Sequence, residues 1–415
     1  MVLKKYKPRI VAITGSVGKT STKDAIFSVL SQFHYVRKSQ KSFNSEIGVP
    51  LTILGCPTGW NSPILWLKNI VEGFALIVLP NHYPKWLVLE IGADRPGDIE
   101  TVTSWVKPDI TVVSRLSKVP VHVEFFPSPE DVYREKSFLV SALKKDGVLI
   151  LNSDDEDVLS FRSLVDNTTM LYGMGNGAEL LATNYAVQYT EKDGRKVPSG
   201  IRFDAVYQNQ TQKVTLLGGL GIQQVYPALA ALSVGLALHI PFEKLVPALM
   251  HHQPSPGRMR ILPGIKNTVI IDDSYNSSPV ALHEAIRTLK MIETTGRKIA
   301  VLGDMLELGL YSTEEHKKAG IEASSVADLL FTVGIRSRMI ADGAQDGGMD
   351  ESLIFQYEDS RTAGKDLEIM IREGDIVLIK GSQGIRMEKV VEEIFADPLH
   401  ADQFLVRQDI AWEGR

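Results

Sequence analysis

Residues 13–24, ITGSVGKTSTKD, constrain the fold more strongly than any other stretch of the chain. A β-branched run over residues 9–14 leads into the glycines, and apolar residues at helical spacing follow from Ala25 onward. A buried strand, a glycine loop and a helix form a phosphate-binding loop, in which backbone N–H groups at the helix N-terminus surround the phosphates. The pattern therefore predicts a parallel α/β sheet with a phosphate site at the end of its first strand.

The loop supplies the first candidate nucleotide-binding residues. In such loops the lysine, here Lys19, places a positive charge on the phosphates, and the hydroxyl of Thr20 ligates Mg²⁺. The alternative is an ordinary glycine-rich turn with a solvated lysine. The cofactor-binding residues predicted from the loop are Gly15, Ser16, Gly18, Lys19, Thr20 and Ser21.

Length, charge and cysteine content narrow the class of protein. A chain of 415 residues exceeds the usual size of one core, so two or three domains are expected. The net charge of -5, without a basic tract, argues against a nucleic-acid partner. A single cysteine excludes a Cys-rich zinc site and favours a reducing, cytoplasmic setting.

Apolar runs divide the chain into two α/β halves. Runs at 86–90, 109–113 and 147–151 predict further strands of the sheet that carries the loop, and residues 184–215 predict a small β appendage of short strands. Residues 253–257, QPSPG, have the Pro, Ser and Gly content that is typical of a linker. A second series of strands and helices follows it, which predicts domains over 1–256 and 257–415, the second one Rossmann-like.

Three further side chains are candidates for a site beside the loop. Glu90 ends a predicted strand and could join Thr20 on Mg²⁺, since the carboxyl ends of parallel strands line one crevice; a salt-bridged strand end is the alternative. His122 follows the strand at 109–113 and would reach the same crevice, unless it is structural. Lys136 lies on a helix that begins near Pro129, where a lysine is normally solvent-facing.

Long motifs in the second half carry a resemblance to a known family. Residues 272–279 (DDSYNSSP), 301–309 (VLGDMLELG) and 380–389 (KGSQGIRMEK), together with the loop, resemble the Mur ligases, ATP-dependent amide-forming enzymes of peptidoglycan precursor synthesis. They are most similar to the MurF-like branch, which adds D-Ala-D-Ala. The resemblance runs from Ile10 to about Glu393, nearly the whole chain.

The resemblance implies a fold and a cofactor set. A P-loop ATPase-type central domain would bind ATP, and a Rossmann-like C-terminal domain would follow it. Two Mg²⁺ ions are implied, the first held by Thr20 and Glu90. The second would be served by His122 and by Lys136, the latter as a carbamate formed with CO₂, an anionic oxygen ligand that Mg²⁺ accepts.

The resemblance also implies roles for the remaining site residues. Asn44, in a polar loop, and Asp273 and Asn276 would contact the nucleotide, and Arg258 would close over it; a solvated linker charge is the alternative for Arg258. The implied catalytic residues are Lys19, His122, Lys136 and Arg258. The implied partners are a muramyl-peptide-like carboxylate and an amino acid or dipeptide amine, joined through an acyl phosphate.

Two segments depart from the family's pattern. Because the phosphate loop begins near residue 14, the N-terminal UDP-sugar-binding domain of peptidoglycan Mur ligases is expected to be lacking, which leaves open a separate sugar-binding partner. Gln223 and Gln224 stand where relatives carry a histidine and asparagines near the adenine.

Residues 63–80 form an apolar insert that contains Lys68 and Glu72. Three interpretations are open: a helix buried against the first domain, an interfacial helix contacting a membrane surface or a lipid-linked substrate, and a transmembrane span. The insert is shorter than the ~20 residues of a membrane helix. A membrane-associated cytoplasmic protein is therefore one of the outcomes that the sequence allows.

Two other functions compete with a MurF-like ligase. One is a ligase of the same superfamily with a non-UDP acceptor, of the polyglutamate type, against which the LGDMLELG run argues. The other is a nucleotide-dependent switch or scaffold that performs no amide chemistry. The combination of Glu90, His122 and Lys136 disfavours the switch, because a switch needs no second metal site.

Overall fold

The computed structural model describes residues 1–39, 43–120, 122–192 and 194–408. Within these ranges the strands form two sheets, one of nine strands and one of six. Helices follow most of the parallel strands, which confirms the predicted α/β class.

The first sheet carries the phosphate loop. Its order is β2-β3-β1-β4-β5-β6-β7-β8-β9, where the strands are β1 (Arg9–Thr14), β2 (Val36–Lys38), β3 (Trp86–Glu90), β4 (Ile110–Val113), β5 (Val148–Asn152), β6 (Thr168–Gly173), β7 (Leu180–Lys192), β8 (Arg195–Tyr207) and β9 (Gln210–Leu217). Pairing is parallel from β2 to β7 and antiparallel from β7 to β9. β3 and β4 are buried throughout, as expected of central strands in a parallel sheet.

The helices of the first half are α1 (Val2–Tyr6), α2 (Lys19–Leu30), α3 (Gly48–Leu54), α4 (Pro63–Val78), α5 (Asp98–Trp105), α6 (Pro129–Ser141), α7 (Glu156–Ser160), α8 (Ile222–Ala237) and α9 (Phe242–Leu249). α2 starts directly from the phosphate loop and packs against α8. Its apolar residues, such as Ile26 and Val29, are fully buried, so the helix N-terminus has a fixed direction relative to the sheet.

The second sheet has the order β10-β11-β15-β12-β13-β14, where the strands are β10 (Arg260–Pro263), β11 (Val269–Asp273), β12 (Lys298–Gly303), β13 (Leu329–Val333), β14 (Ile354–Tyr357) and β15 (Ile376–Lys380). Its helices are α10 (Pro279–Met291), α11 (Ser312–Ser324), α12 (Arg338–Asp346), α13 (Ser360–Met370), α14 (Glu388–Ile394) and α15 (Ala401–Phe404). β10 is antiparallel to β11, and the other pairs are parallel.

The two halves pack against each other. One apolar cluster includes Val29 of α2, Ala228 of α8 and Ile286 of α10, so the core continues from one half into the other. Polar contacts also cross the junction, including Arg115 to Glu284 at 3.5 Å. The cleft between the halves therefore has defined walls on both sides.

The β strands after residue 180 are longer than the sequence predicted. β7 and β8 each have 13 residues and continue the first sheet, because β7 pairs in parallel with β6 and antiparallel with β8. The predicted β appendage is thus an extension of the first sheet.

The apolar insert forms α4, whose only buried residues are Asn69, Gly73 and Leu76. The interpretation of a helix buried against the first domain is wrong, because most of its large apolar side chains are exposed. Among the residues that the structure describes, no helix combines the length and the apolar character needed to cross a bilayer.

Candidate active site

The phosphate loop is held in an anion-binding shape by its glycines and by β4. Gly18 has φ 84° and caps the N-terminus of α2, and Gly15 has φ 142°. A Cβ at Gly15 would lie 2.1 Å from Ser114 Oγ, so only glycine fits there. The N–H groups of Ser16 and Val17 donate to the Arg115 carbonyl at 2.7 and 3.3 Å, which ties the loop to the chain just after β4.

Lys19 folds back over this loop. Its Nζ donates to the Gly15 carbonyl at 2.9 Å. Burial lowers the pKa of Lys19, Glu90 opposes that shift, and the Arg258 charge adds to it. A half-buried ammonium with a second cation beside it is stabilised by a bound anion, which is the environment that a phosphate would complete.

Thr20 and Glu90 meet as predicted at the carboxyl ends of adjacent strands. β1 and β3 pair so that Ile13 lies opposite Glu90, and Thr20 Oγ1 donates to Glu90 Oε1 at 3.1 Å. Both residues are buried. Within the described chain Glu90 Oε2 accepts no hydrogen bond, and the Lys23 Nζ lies 3.8 Å away. Glu90 therefore combines the ion pair of a salt-bridged strand end with a hydrogen bond from Thr20.

His122 lies in the same cleft and contacts both halves of the protein. Its Nδ1 is 2.5 Å from Glu307 Oε2, and its Nε2 is 3.5 Å from Asp94 Oδ1. His122 and Glu307 both have positive φ, 69° and 63°. The hydrogen bond from His122 lowers the pKa of Glu307, so this carboxylate is ionised. The pair joins the loop after β4 to the segment after β12.

Lys136 is buried, so the expectation of a solvent-facing lysine is wrong. The preceding residue explains this: Glu135 accepts from the N–H groups of Gly97, at 2.9 Å, and of Ile99, at 2.7 Å, which fastens α6 to the start of α5 and turns this face of the helix inward. Lys136 is 4% exposed and has no hydrogen-bond or ion-pair partner among the described residues.

The Lys136 amine borders a small cavity beside the phosphate loop. The cavity has a volume of about 20 Å³ and is also lined by Lys19, Asn44, Asp94 and His122. Burial, reinforced by the charge of Lys19, lowers the pKa of Lys136 to about 7. A large fraction of this amine is therefore neutral, and nucleophilic, at neutral pH.

Arg258 reaches into the site from the segment that leads into β10. Its Nη2 donates to Thr20 Oγ1 at 3.2 Å, and its guanidinium lies 4.1 Å from the centre of the Tyr275 ring. Arg258 is therefore not a solvated linker charge. Together these contacts place Arg258 over the start of α2.

Asp273 and Asn276 line the same cleft, but their side chains are engaged within the protein. Asp273 Oδ2 accepts from the Lys380 Nζ at 2.7 Å, and its Oδ1 accepts from the Met259 N–H at 3.1 Å. Lys380 also donates to the Asn276 carbonyl at 2.8 Å, and Asn276 Oδ1 accepts from the Ser277 N–H at 2.9 Å. Both residues shape the wall of the cleft.

The large cleft, of about 1800 Å³, also contains groups suited to a base. The amide nitrogen and oxygen of Gln223 are both buried without a hydrogen-bond partner in the described chain. Gln224 is engaged instead, since its Nε2 donates to the Arg258 carbonyl at 3.0 Å. Gln223 thus lines the cleft at the N-terminus of α8 with an amide whose hydrogen-bonding capacity the described chain does not use.

Sequence reasoning missed three residues of this site: Asp94, Glu307 and Lys380. Asp94 lies four residues after Glu90, Glu307 lies within LGDMLELG, and Lys380 begins KGSQG. Their acidic or basic character among apolar and glycine residues was the available signal. Their partners come from distant parts of the chain, so no local pattern could assign them.

The oxygen atoms of the site suit one Mg²⁺ ion that takes few of its ligands from the protein. In the described ranges, no group of three or more His, Cys, Asp and Glu residues is arranged to hold a metal. Thr20 Oγ1 and Glu90 Oε2, which accepts no hydrogen bond in the described chain, are oxygen donors of the kind that Mg²⁺ prefers, and Mg²⁺ in nucleotide sites takes its other ligands from phosphate and water. An unmodified Lys136 amine is not an oxygen donor.

Two domains of one family match this chain. Residues 74–235 match the Mur ligase middle domain, and residues 257–383 match the Mur ligase, glutamate ligase domain. The matched regions contain Glu90, His122 and Lys136 in the first and Arg258, Asp273 and Glu307 in the second.

Individual relatives agree with these matches. The chain is 28% identical over 398 residues to the UDP-N-acetylmuramoyl-tripeptide--D-alanyl-D-alanine ligase of Bacillus subtilis (strain 168), covering 96% of this chain and 78% of that protein. It is 28% identical over 392 residues to the ligase of the same name from Escherichia coli (strain K12), covering 93% and 76%. The crystal structure of MurF ligase from Thermotoga maritima in complex with ADP shares the fold, with a TM-score of 0.75 and 24% identity over 97% of this chain and 82% of that chain. The chain belongs to the Mur ligase family.

Proposed function

We propose that this protein is an ATP-dependent ligase that joins a carboxylate to an amine in cell-wall precursor synthesis, with ADP and phosphate as the other products. The observation that carries the proposal is the convergence of the phosphate loop and the Thr20–Glu90 pair on the cleft between the two halves, with the buried Lys136 in an adjoining cavity beside the loop. The names of the relatives suggest the substrates: a muramyl tripeptide as the carboxylate and D-Ala-D-Ala as the amine. A reaction that consumes ATP is expected in the cytoplasm.

We assign nucleotide binding to residues of both halves, with the division between domains placed at residues 256 and 257. The N–H groups of the loop and the ammonium of Lys19 would hold the β- and γ-phosphates. Gln223 would present its amide to the base. Asp273 and Asn276 would form the opposite wall, and Asn44 would approach the phosphates from the first half, where it lies against Gly92.

The reaction divides into two displacements. In the first, a carboxylate oxygen of the acceptor attacks the γ-phosphorus, and the bond from that phosphorus to the β-γ bridging oxygen breaks. The products of this step are ADP and an acyl phosphate. The amine then attacks the acyl carbon, the carbon–oxygen bond to phosphate breaks, and the amine loses a proton. Lys19 and Arg258 are placed to stabilise the negative charge on the transferred group, because both cations face the start of α2.

Thr20 and Glu90 would hold a first Mg²⁺ through their oxygens, and His122 with a modified Lys136 would hold a second. When bound, Mg²⁺ neutralises charge on the phosphates and on the attacking carboxylate. The chain's own contribution is orientation: Glu307 holds Nδ1 of His122, which leaves Nε2 directed toward Asp94 and the cavity.

Lys136 is assigned as a carbamate. The neutral amine would attack the carbon of CO₂, one electron pair of a C=O bond would move to oxygen, and a proton would pass from nitrogen to solvent. The product is an anion that relieves the repulsion between Lys136 and Lys19. The 20 Å³ cavity at the amine, together with its lack of a partner in the described residues, supports this assignment.

The alternatives differ in their amine or in their chemistry. A polyglutamate-type ligase would use the same loop and metals but accept glutamate. A switch or scaffold would bind nucleotide without forming an amide. Among the described residues of the cleft, no contact favours either one over the MurF-like reaction.

The first prediction tests the reaction. With ATP, Mg²⁺, a UDP- or lipid-linked muramyl tripeptide and D-Ala-D-Ala, ADP release should require both acceptor and amine, and mass spectrometry should detect the amide. Lys19→Ala should abolish turnover, because the loop loses its charge on the phosphates, while Lys196→Ala, on an exposed strand position, should leave it unchanged. Amide formation with glutamate alone would favour the polyglutamate type, and ATP hydrolysis without any amide would contradict the proposal.

The second prediction concerns Lys136. Lys136→Ala should lower kcat roughly 100-fold, as expected for loss of a metal-supporting group, while ATP affinity stays near the wild-type value. Small carboxylates such as formate or acetate should restore part of the rate by supplying an oxygen ligand. Lys145→Ala, at an exposed lysine after the same helix, is the matched control.

The carbamate also predicts a pH dependence. After CO₂ is stripped, recovery on adding bicarbonate requires the neutral amine, so with a pKa of about 7 its rate, corrected for dissolved CO₂, should rise about tenfold from pH 6 to 8 and then level off. An ordinary lysine would continue to gain tenfold per pH unit. Recovery that never levels off, or a Lys136→Ala enzyme with normal turnover, would refute the assignment.

The third prediction concerns closure between the halves. Glu307→Ala removes the partner of His122 and one contact across the cleft, so kcat should fall about 10- to 100-fold and small-angle scattering should detect a larger radius of gyration with ATP bound. Glu314→Ala, at an exposed glutamate of α11, should change neither quantity. Wild-type kcat and compactness in Glu307→Ala would show that the contact has no role in closure.

A further inference from the structure

Helix α4 presents an apolar stripe to the outside of the protein. Ile64, Leu67, Val71, Phe74 and Val78 follow one another at intervals of three or four residues, which places them on one face of the helix. Their exposed fractions are 80%, 62%, 58%, 67% and 59%. A stripe of large, exposed apolar side chains over a whole helix marks an interaction surface.

The opposite face of α4 anchors the helix to the protein. Asn69 Nδ2 donates to the Pro57 carbonyl at 2.7 Å, and Gly73 lies against Leu54 of α3. At the C-terminal end, the Lys5 Nζ donates to the Leu76 carbonyl at 2.9 Å and to the Leu79 carbonyl at 2.6 Å. The helix is therefore a fixed element whose more apolar face points outward.

Cations gather beside the stripe. Lys4 and Lys7 are exposed on and just after α1, which contacts the C-terminal part of α4, and Lys68 is exposed on α4 itself. Residues 1–23 contain no Asp or Glu, although the whole chain has a net charge of -5. Glu72 is the acidic residue of α4, and it pairs with Lys68 at 3.7 Å. The Lys68–Glu72 pair is neutral as a whole, so Lys4 and Lys7 supply the net positive charge beside the stripe.

An anionic lipid surface matches both properties. A helix with an apolar face and flanking lysines lies in the interface plane of a bilayer, with its side chains in the acyl boundary and its cations at the phosphates. At 16 residues, α4 is about 24 Å long, shorter than the ~30 Å hydrocarbon core, so it can lie on a membrane but not cross it.

The same helix borders the catalytic cleft. Trp60 and Trp66 line the cleft from the α3–α4 connection and from α4, and Trp66 Nε1 donates to the Trp60 carbonyl at 3.0 Å. Trp60 is 44% exposed, and tryptophan is favoured at the headgroup level of membranes. Docking through α4 would therefore bring the rim of the cleft close to the lipid headgroups.

We propose that α4 docks this protein on the surface of an anionic bilayer, with Lys4, Lys7 and Lys68 contacting the lipid phosphates. If the proposed ligase function holds, this position gives the cleft access to a carboxylate substrate carried on a lipid. Docking itself does not depend on that function.

The test is co-sedimentation of the full chain with vesicles, without nucleotide or substrate. The wild type should bind vesicles that mix zwitterionic and anionic phospholipids, and should bind purely zwitterionic vesicles or vesicles in high salt more weakly. The combined change Leu67→Ser, Val71→Ser and Phe74→Ser should lower the partition coefficient at least about tenfold. The matched control changes three other exposed apolar residues, Ile335→Ser, Ile369→Ser and Leu399→Ser, and should bind like the wild type.

A second pair of variants tests the charges. Lys4→Glu with Lys7→Glu should weaken binding to anionic vesicles, while Lys145→Glu with Lys196→Glu should weaken it less. Thermal unfolding and gel filtration verify that each variant is folded. Absence of wild-type binding to either kind of vesicle, or equal binding by the triple serine variant, would overturn the proposal. A dimer that the triple serine variant loses, without vesicle binding, would assign α4 to a second copy of the chain and overturn it as well.

Discussion

The parallel pairing of β1 with β3 is the constraint on which the site depends. It puts Glu90 at the end of one strand beside the loop that ends the other, so that Thr20 and Glu90 meet at 3.1 Å. β4, on the other side of β1, supplies the carbonyl of Arg115 that holds the loop. A shift of one residue in either pairing would separate these groups, because successive residues of a strand point to opposite faces.

Basic side chains gather beside this arrangement. Lys136 is buried and Lys19 half-buried, and desolvation lowers the pKa of each. Arg258 adds a third basic group near the carboxylates of Glu90 and Asp94. Unpaired buried charge destabilises a fold, and a polyanion with its metal ions would compensate it. These basic groups thus lower the stability of the empty fold, and they preorganise the site to bind phosphate and carboxylate.

The residues that sequence reasoning identified are those whose role follows from local pattern. The strand, loop and helix around Lys19 could be predicted because hydrophobic periodicity and glycine positions are local. The burial of Lys136 could not, because it depends on Glu135 capping α5, a contact across 36 residues to Ile99. Likewise, Glu307 meets His122 only because two sheets pack together, and no spacing encodes that.

The apolar insert at residues 63–80 also depends on contacts that local sequence does not encode. Its composition predicted a helix but left three positions open for it: buried against the first domain, at a membrane surface, or across the membrane. The structure excludes burial because Asn69 and Gly73, the less apolar side, face the protein, while Phe74 and its neighbours face outward. Which side of an apolar helix is anchored depends on partners such as Pro57 and Lys5, which lie elsewhere in the chain.

The central claim is that a substrate carboxylate, and not water, receives the γ-phosphoryl group. The most direct measurement uses a muramyl-tripeptide acceptor whose reacting carboxylate carries ¹⁸O in both oxygens, with ATP and D-Ala-D-Ala in ordinary water, and determines the isotope content of the released phosphate. An acyl phosphate predicts one ¹⁸O atom in each phosphate, since the carboxylate oxygen stays on phosphorus when the amine displaces it. Phosphate without ¹⁸O would mean that water attacks the nucleotide, and would contradict the account.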